Sequence, residues 1–230
     1  MKKQSRIFIP KQENLKLLNS NQKFVFENLG FTSKYGLYLA GGTALIFYLG
    51  HRTSLDFDFY TEKEFEKGKF LKIFKKELKN KKLKTKVLRD FKNNFEILVN
   101  KVHLSCFYYP YPLIGKLKKF NNVLIASIQD ISAMKALAIG QRGTKRDFID
   151  IYYLIKIFGL KKVLSWAKKK YPEYSEMVFL KGLVYFEDAE REEERNVEIL
   201  NKSITWSKIK KEIIEAVRKY QLNLHQKFIK

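Results

Sequence analysis

The sequence predicts an α+β fold, with a mixed sheet and flanking helices in the first half and helices alone in the second. Three observations predict it. Short runs of alternating or continuous apolar residues precede Tyr109, helical spacing takes over from Ser127 onward, and Gly41-Gly42 separates the first apolar run from the next helix. The chain has 230 residues, 45% of them apolar, which is enough for a core and excludes wholesale disorder. The longest uncharged stretch, residues 35–50, is shorter than the ~20 residues of a spanning helix, so no membrane segment is expected. The opening MKKQSRIFIPKQENLK has no apolar signal-peptide core, and Cys106 is the single cysteine, so a cytoplasmic location is expected. With 46 Lys+Arg against 24 Asp+Glu the formal charge is +22, which points to a polyanionic partner, nucleic acid first and an acidic protein second.

Taken in order, the first element is a helix over residues 13–29, closed by Gly30. A short apolar strand at 35–40 runs into Gly41-Gly42. Thr43 is then placed to cap a brief helix that stops at Gly50, because its hydroxyl can accept a bond from an otherwise unpaired backbone N–H. Residues 55–60, LDFDFY, alternate as a half-buried strand requires. Leu55, Phe57 and Phe59 are expected in the core, with Asp56 and Asp58 on the other face and their Cα atoms ~7 Å apart. Phe65, Phe70, Leu71, Phe74 and Leu78 form a stripe opposite Lys69, Lys72, Lys75, Lys76 and Lys79, an amphipathic helix with a basic outer face. Strands follow at 84–91, 95–99 and 102–109, up to Pro110-Tyr111-Pro112. Helices are expected at 127–139, 144–158, 160–170, after Pro172 and at 206–222. This pattern divides the chain into an α+β domain, residues 1–126, and a helical domain, residues 127–230. Residues 186–198 are an acidic island with seven carboxylates.

The strongest chemical signal is the combination of Gly41-Gly42-Thr43 with Asp56 and Asp58. Glycines between a strand and a helix let the backbone approach a phosphate chain, and the helix N-terminus adds N–H donors and a positive dipole end. Two carboxylates on one strand face repel unless a cation lies between them, and a divalent ion such as Mg²⁺ (or Mn²⁺) suits oxygen ligands that leave positions open for phosphates. Taken singly, a Gly-Gly turn and an alternating strand are ordinary structural features.

The run YLAGGTALIFYLGHRTSLDFDFYT resembles the core signature of the AbiEii/AbiGii-type toxin nucleotidyltransferases, a branch of the DNA polymerase β-like nucleotidyltransferase superfamily. FYYPYPLI at 107–114, ASIQDISAMKALAIGQRGTKRDFIDIYYL at 126–154, and FEDAE and TWSKIKK further on are similar to the same family. The resemblance implies a polymerase β-like mixed sheet followed by a helical domain that completes the active site. It implies that Gly41, Gly42 and Thr43 hold a nucleoside triphosphate, that Asp56 and Asp58 bind the catalytic metal, and that Arg52 and Ser54 line the same site. Lys135 and Asp147 match the family's downstream catalytic motifs, and Arg142 and Arg146 would supply positive charge for phosphates. It further implies transfer of a nucleoside monophosphate from an NTP to a hydroxyl with release of pyrophosphate, by the toxin of a toxin–antitoxin or phage-defence system, with tRNA as the acceptor to expect and an antitoxin protein as partner.

Bland readings stand beside these. Asp147 three residues after Thr144 reads equally as a capping box. Lys135 could snorkel from a buried helix, although a charge buried all round needs a phosphate or carboxylate partner. Many polymerase β-like enzymes place a third carboxylate where Ser105 stands here, so Asp147 or Glu96 takes that role or the metal is held by two carboxylates. Two rival functions share the fold: a catalytically silent nucleic-acid or partner-binding module, and transfer to a protein hydroxyl.

Overall fold

A computed structural model describes residues 8–66, 68–191 and 197–228. Tertiary contacts divide them into two compact units. The first holds residues up to 50, 54–110 and 116–128, and the second holds 51–53, 111–115 and the described residues from 129 onward.

The first unit is built on a mixed sheet of the strands β1 (Tyr38–Ala40), β2 (Phe57–Thr61), β3 (Thr85–Phe91), β4 (Asn94–Val99), β5 (Val102–Tyr108), β6 (Lys118–Phe120) and β7 (Val123–Ile125). Its order is β3-β4-β5-β2-β1-β7-β6. β2 runs antiparallel to β1 and parallel to β5, while β1 and β7 are parallel. The helices are α1 (Ser20–Glu27), α2 (Gly41–Leu49) and α3 (Lys69–Asn80). Phe57, Phe59, Phe95, Ile97, Leu104 and Cys106 line one sheet face and are buried. Phe26 of α1 packs on Phe57 with centroids 5.7 Å apart and on Phe47 of α2 at 5.1 Å, and Phe74 of α3 packs on Phe95 at 5.4 Å. These rings put the helices on that face, and Asp58, Tyr60, Glu96, Ser105 and Phe107 alternate to the other. The α3 lysines are exposed opposite Leu71, Phe74 and Leu78, as the stripe predicts.

Several elements differ from the sequence reading. The expected helix at 13–29 is a 3-10 turn, Gln12–Leu17, followed by α1. Asn19 breaks it by forming a capping box with Gln22: Gln22 N–H donates to Asn19 Oδ1 at 2.9 Å, and Asn19 N–H to Gln22 Oε1 at 3.0 Å. Strand β1 starts three residues late because Gly36, at φ 69°, ends a second 3-10 turn, Gly30–Tyr35. Thr43 does not cap α2, which begins at Gly41 with Ala40 in the cap position. Leu55 is 38% exposed and β2 begins only at Phe57, so Asp56 precedes the ladder. The reason is Gln22, whose amide donates to the carbonyls of Ser54 and Leu55 at 2.8 and 2.9 Å and takes them out of strand pairing. The sequence reading lacks the β6–β7 hairpin, although a sign of it, Asn121-Asn122 between Phe120 and the apolar run 123–126, is in the sequence; both asparagines have positive φ.

The second unit is helical. It contains α4 (Ile128–Gln141) from its second residue onward, α5 (Lys145–Phe158), α6 (Leu160–Lys170), α7 (Glu176–Leu183), α8 (Glu187–Arg191) and α9 (Trp206–Phe228). Gly182 lets α7 approach α4, since a Cβ there would stand 2.5 Å from the Ile139 carbonyl. Phe148, Phe186 and Trp206 form a ring cluster at 4.8–5.9 Å. Residues 111–115 join this unit through Asp130, which accepts the N–H groups of Ile114 and Gly115 at 3.0 Å and pairs at 2.8 Å with Lys170, fully buried like itself. In the acidic island, Glu190 pairs with Lys210 at 2.5 Å and Glu198 bonds Lys202, so part of it is an internal counterweight to lysines; residues 192–196 lie outside the described residues. Among the described residues no helix is long and apolar enough to cross a membrane.

Candidate active site

In the first unit, the sheet register sets Asp58 beside Ala40, the residue before α2. Gly41 then turns the chain at φ +68°, and a Cβ built on it would lie 3.1 Å from Asp58 Oδ2. Glycine is needed twice here, for the left-handed backbone and for the close approach of the carboxylate. The first N–H groups of α2 have no intrahelical acceptor and no capping side chain, so this end is suited to anionic groups. Thr43 ties the site together from inside the helix: its hydroxyl bonds the Asp56 carbonyl and lies 2.8 Å from the buried Ser54 hydroxyl. The carbonyl can only accept, so Thr43 donates to it, and Ser54 supplies the proton of the second bond. Ser54 and Thr43 thereby hold the approach to Asp56 and Asp58, both half-buried.

The second unit contains a buried charge cluster. Lys135, 8% exposed on α4, places Nζ 2.8 Å from Asp147 Oδ1 and 2.7 Å from Asp150 Oδ2. Asp147 is also the third residue of α5 and closes the capping box with Thr144, whose hydroxyl donates to Oδ2 at 2.7 Å. The capping-box reading of Asp147 therefore holds, and its other oxygen is the one bound to Lys135. Asp150 in turn accepts two bonds from Arg52, Nε to Oδ1 at 2.6 Å and Nη2 to Oδ2 at 2.8 Å, and lies 2.7 Å from His51 Nε2. Burial alone would raise the Asp147 carboxyl, but the Lys135 ammonium holds it below the usual carboxylate range. Burial opposes ionisation of Asp150 too, and Arg52 and Lys135 outweigh it, holding that carboxyl well below its ordinary value. Burial disfavours the Lys135 ammonium, yet the two carboxylates raise it overall. His51 is lowered by burial, against the pull of Asp150, and is neutral at pH 7. Two carboxylates, one ammonium, one guanidinium and a neutral imidazole sum to zero charge.

Of the residues proposed from sequence, Arg52 is buried and bound to Asp150, with Nη1 donating to the Thr53 carbonyl at 2.7 Å. Arg142 is exposed after α4, and Arg146 is half-buried in the first turn of α5. Asp150, the hub, was missed; its sign was a second aspartate three residues after Asp147, on the same helix side. Its partners His51 and Arg52 lie 99 and 98 residues away, and no local pattern reports such a pairing. Among the described residues no three His, Cys, Asp or Glu side chains are grouped to hold a metal. Asp56 and Asp58 fit the smaller set that Mg²⁺ takes when phosphates complete its shell.

A family profile described as "Nucleotidyl transferase AbiEii toxin, Type IV TA system" matches residues 106–223. An uncharacterized protein of Aquifex aeolicus, aq_aa25, is 36% identical over 192 residues, spanning 81% of this chain and 88% of the relative. The chain belongs to the AbiEii family. It is accordingly an enzyme of the nucleotidyltransferase type. Two solved structures are similar in fold. JHP933 from Helicobacter pylori has a TM-score of 0.59 at 18% identity, with 95% of this chain and 96% of that one covered. MenT4, a nucleotidyltransferase toxin of Mycobacterium tuberculosis, has a TM-score of 0.58 at 10% identity, with 84% and 80% covered. The AbiEii fold, a mixed sheet with a helical C-terminal region, agrees with the fold expected from sequence.

Proposed function

We propose that this AbiEii-family chain moves a nucleoside monophosphate from an NTP to a hydroxyl of an RNA, tRNA being the first acceptor to test, and acts as the toxin of a toxin–antitoxin pair. The observation that carries this reading is the Asp58 carboxylate lying against Gly41 at the start of α2. An anion-binding helix end and a metal-suited carboxylate then meet at one point, as triphosphate chemistry requires. Asp56 and Asp58 would hold Mg²⁺ or Mn²⁺, and the bound cation would supply charge stabilisation to the phosphate oxygens. Gly41, Gly42 and Thr43 shape the backbone for the triphosphate, with Ser54 supporting Thr43. In the second unit Lys135 and Asp147 form the pair read as catalytic, a fixed ammonium that a phosphate can take up. Asp150, His51 and Arg52 position it, while Arg142 and Arg146 add positive charge for phosphates.

The test incubates the protein with each of the four α-labelled NTPs, Mg²⁺ and total tRNA, alongside Asp58→Ala. Label in tRNA with wild type and none with Asp58→Ala is expected. Equal incorporation by both proteins overturns the site. Label in protein and not in RNA overturns the acceptor and favours protein modification. Salt-sensitive tRNA binding with no incorporation favours a silent binding module.

A further inference from the structure

Transfer to a hydroxyl releases one proton, and the site residues named above leave it without an acceptor. Asp56 and Asp58 are read as metal ligands, and Lys135, Asp147 and Asp150 are paired with one another. Unused titratable groups gather on the sheet face that carries Asp58. The register aligns Ala40, Asp58, Ser105, Glu96 and Arg89 in one row across β1, β2, β5, β4 and β3. Residues paired in this way place their side chains on the same face. Two strand spacings, ~10 Å, separate the Cα atoms of Asp58 and Glu96, with only the short Ser105 side chain between them.

Glu96 is both held and reachable. Its Oε2 lies 3.4 Å from His103 Nε2 and its Oε1 3.8 Å from Arg89 Nη1, while 21% of the side chain stays exposed. The charged and titratable groups around it on this face are Arg89 and Lys86 from β3, His103 from β5 and Asp58 from β2. His103 lies one row further from Asp58, two residues before Ser105 on β5.

We propose that Glu96 is the general base of the transfer and that His103 and Arg89 position it; this rests on the nucleotidyl transfer proposed above. The acceptor oxygen forms a bond to the α-phosphorus, and the bond from that phosphorus to the bridging oxygen breaks, its electron pair leaving on pyrophosphate. The hydroxyl proton passes to the Glu96 carboxylate. Arg89 and His103 hold its orientation from the two neighbouring strands.

The test follows incorporation of α-labelled NTP into tRNA with Mg²⁺ for wild type, Asp58→Ala, Glu96→Gln, Glu96→Ala and Arg89→Gln, with thermal unfolding of each. Glu96→Gln is expected to lower kcat about 100-fold or more with the KM for NTP unchanged. Added formate, a carboxylate small enough to enter the gap, is expected to restore Glu96→Ala, which a purely structural loss would not allow. Arg89→Gln should lower kcat with the KM for NTP and the melting temperature unchanged, the split expected of a residue that positions Glu96. Wild-type rates for Glu96→Gln, or no response of Glu96→Ala to formate, with Asp58→Ala inactive, overturn this inference alone. If Asp58→Ala also transfers at the wild-type rate, the proposed function falls and this inference falls with it.

Discussion

Gly41 shows how one residue joins local backbone to the site. A side chain there would have to adopt φ +68° and meet Asp58 Oδ2 at 3.1 Å. Gly41→Ala is expected to cost about 1–3 kcal/mol in backbone strain and to displace the carboxylate. Nucleotide incorporation should then fall much further than the loss of thermal stability explains, and unchanged incorporation would contradict the role given to Asp58. Lys135 makes the complementary case for charge. Lys135→Met leaves the carboxylates of Asp147 and Asp150 without their shared ammonium, and breaking such a buried pair costs about 3–5 kcal/mol. Urea unfolding should read this as a lower midpoint. At this scale the sequence names the residues that bear charge and the places where the chain can turn tightly: the two aspartates, the glycine pair and Lys135 are read directly from it. It was silent about Asp150 as hub, since a carboxylate's partners depend on which distant residues the fold delivers.

Among the elements, α5 concentrates the most buried charge near its start. Its N-cap Thr144, Asp147 and Asp150 fall within seven consecutive residues, so helix start and charge cluster form together. The cluster predicts acid sensitivity with a definite sign. His51 is lowered in the folded state, so the unfolded chain takes up its proton first, and stability falls as pH drops below about 6.5 towards the folded value. Asp147 and Asp150 are lowered too; their stabilisation is present above the unfolded carboxylate value of about 4 and is lost as pH falls through their folded values. Thermal melting from pH 7 to 5 should decline in wild type and stay flatter in His51→Gln, which retains a donor towards Asp150. An identical slope in both proteins would contradict the His51 assignment. Element types followed well from periodicity, most of all in α3 and from α5 onward. Boundaries failed where a side chain competed with the backbone. Asn19 and Gln22 capped a new helix inside an apparently continuous one, and Gln22 took the carbonyls of residues 54 and 55 that an alternating pattern assigned to a strand.

Over the whole molecule, the formal charge of +22 sets how it meets a polyanion. If about six RNA phosphates are neutralised by lysines such as those exposed on α3, affinity for tRNA should fall on the order of 10³-fold between 50 and 200 mM salt. Filter binding at a series of salt concentrations measures this, and a flat response would mean that the charge serves something other than nucleic acid. The sequence by itself determined the fold class, the AbiEii resemblance and the identity of the residues that bear charge, because hydrophobic period and residue chemistry are local properties. Tertiary structure decided which of them meet. It set Asp58 against Gly41, placed Ser105 between Asp58 and Glu96, and carried residues 51–53 and 111–115 into the second unit through Asp150 and Asp130. Those pairings join positions far apart in the chain. What selects them is the need of buried charges and backbone groups for partners, which only the folded chain can supply.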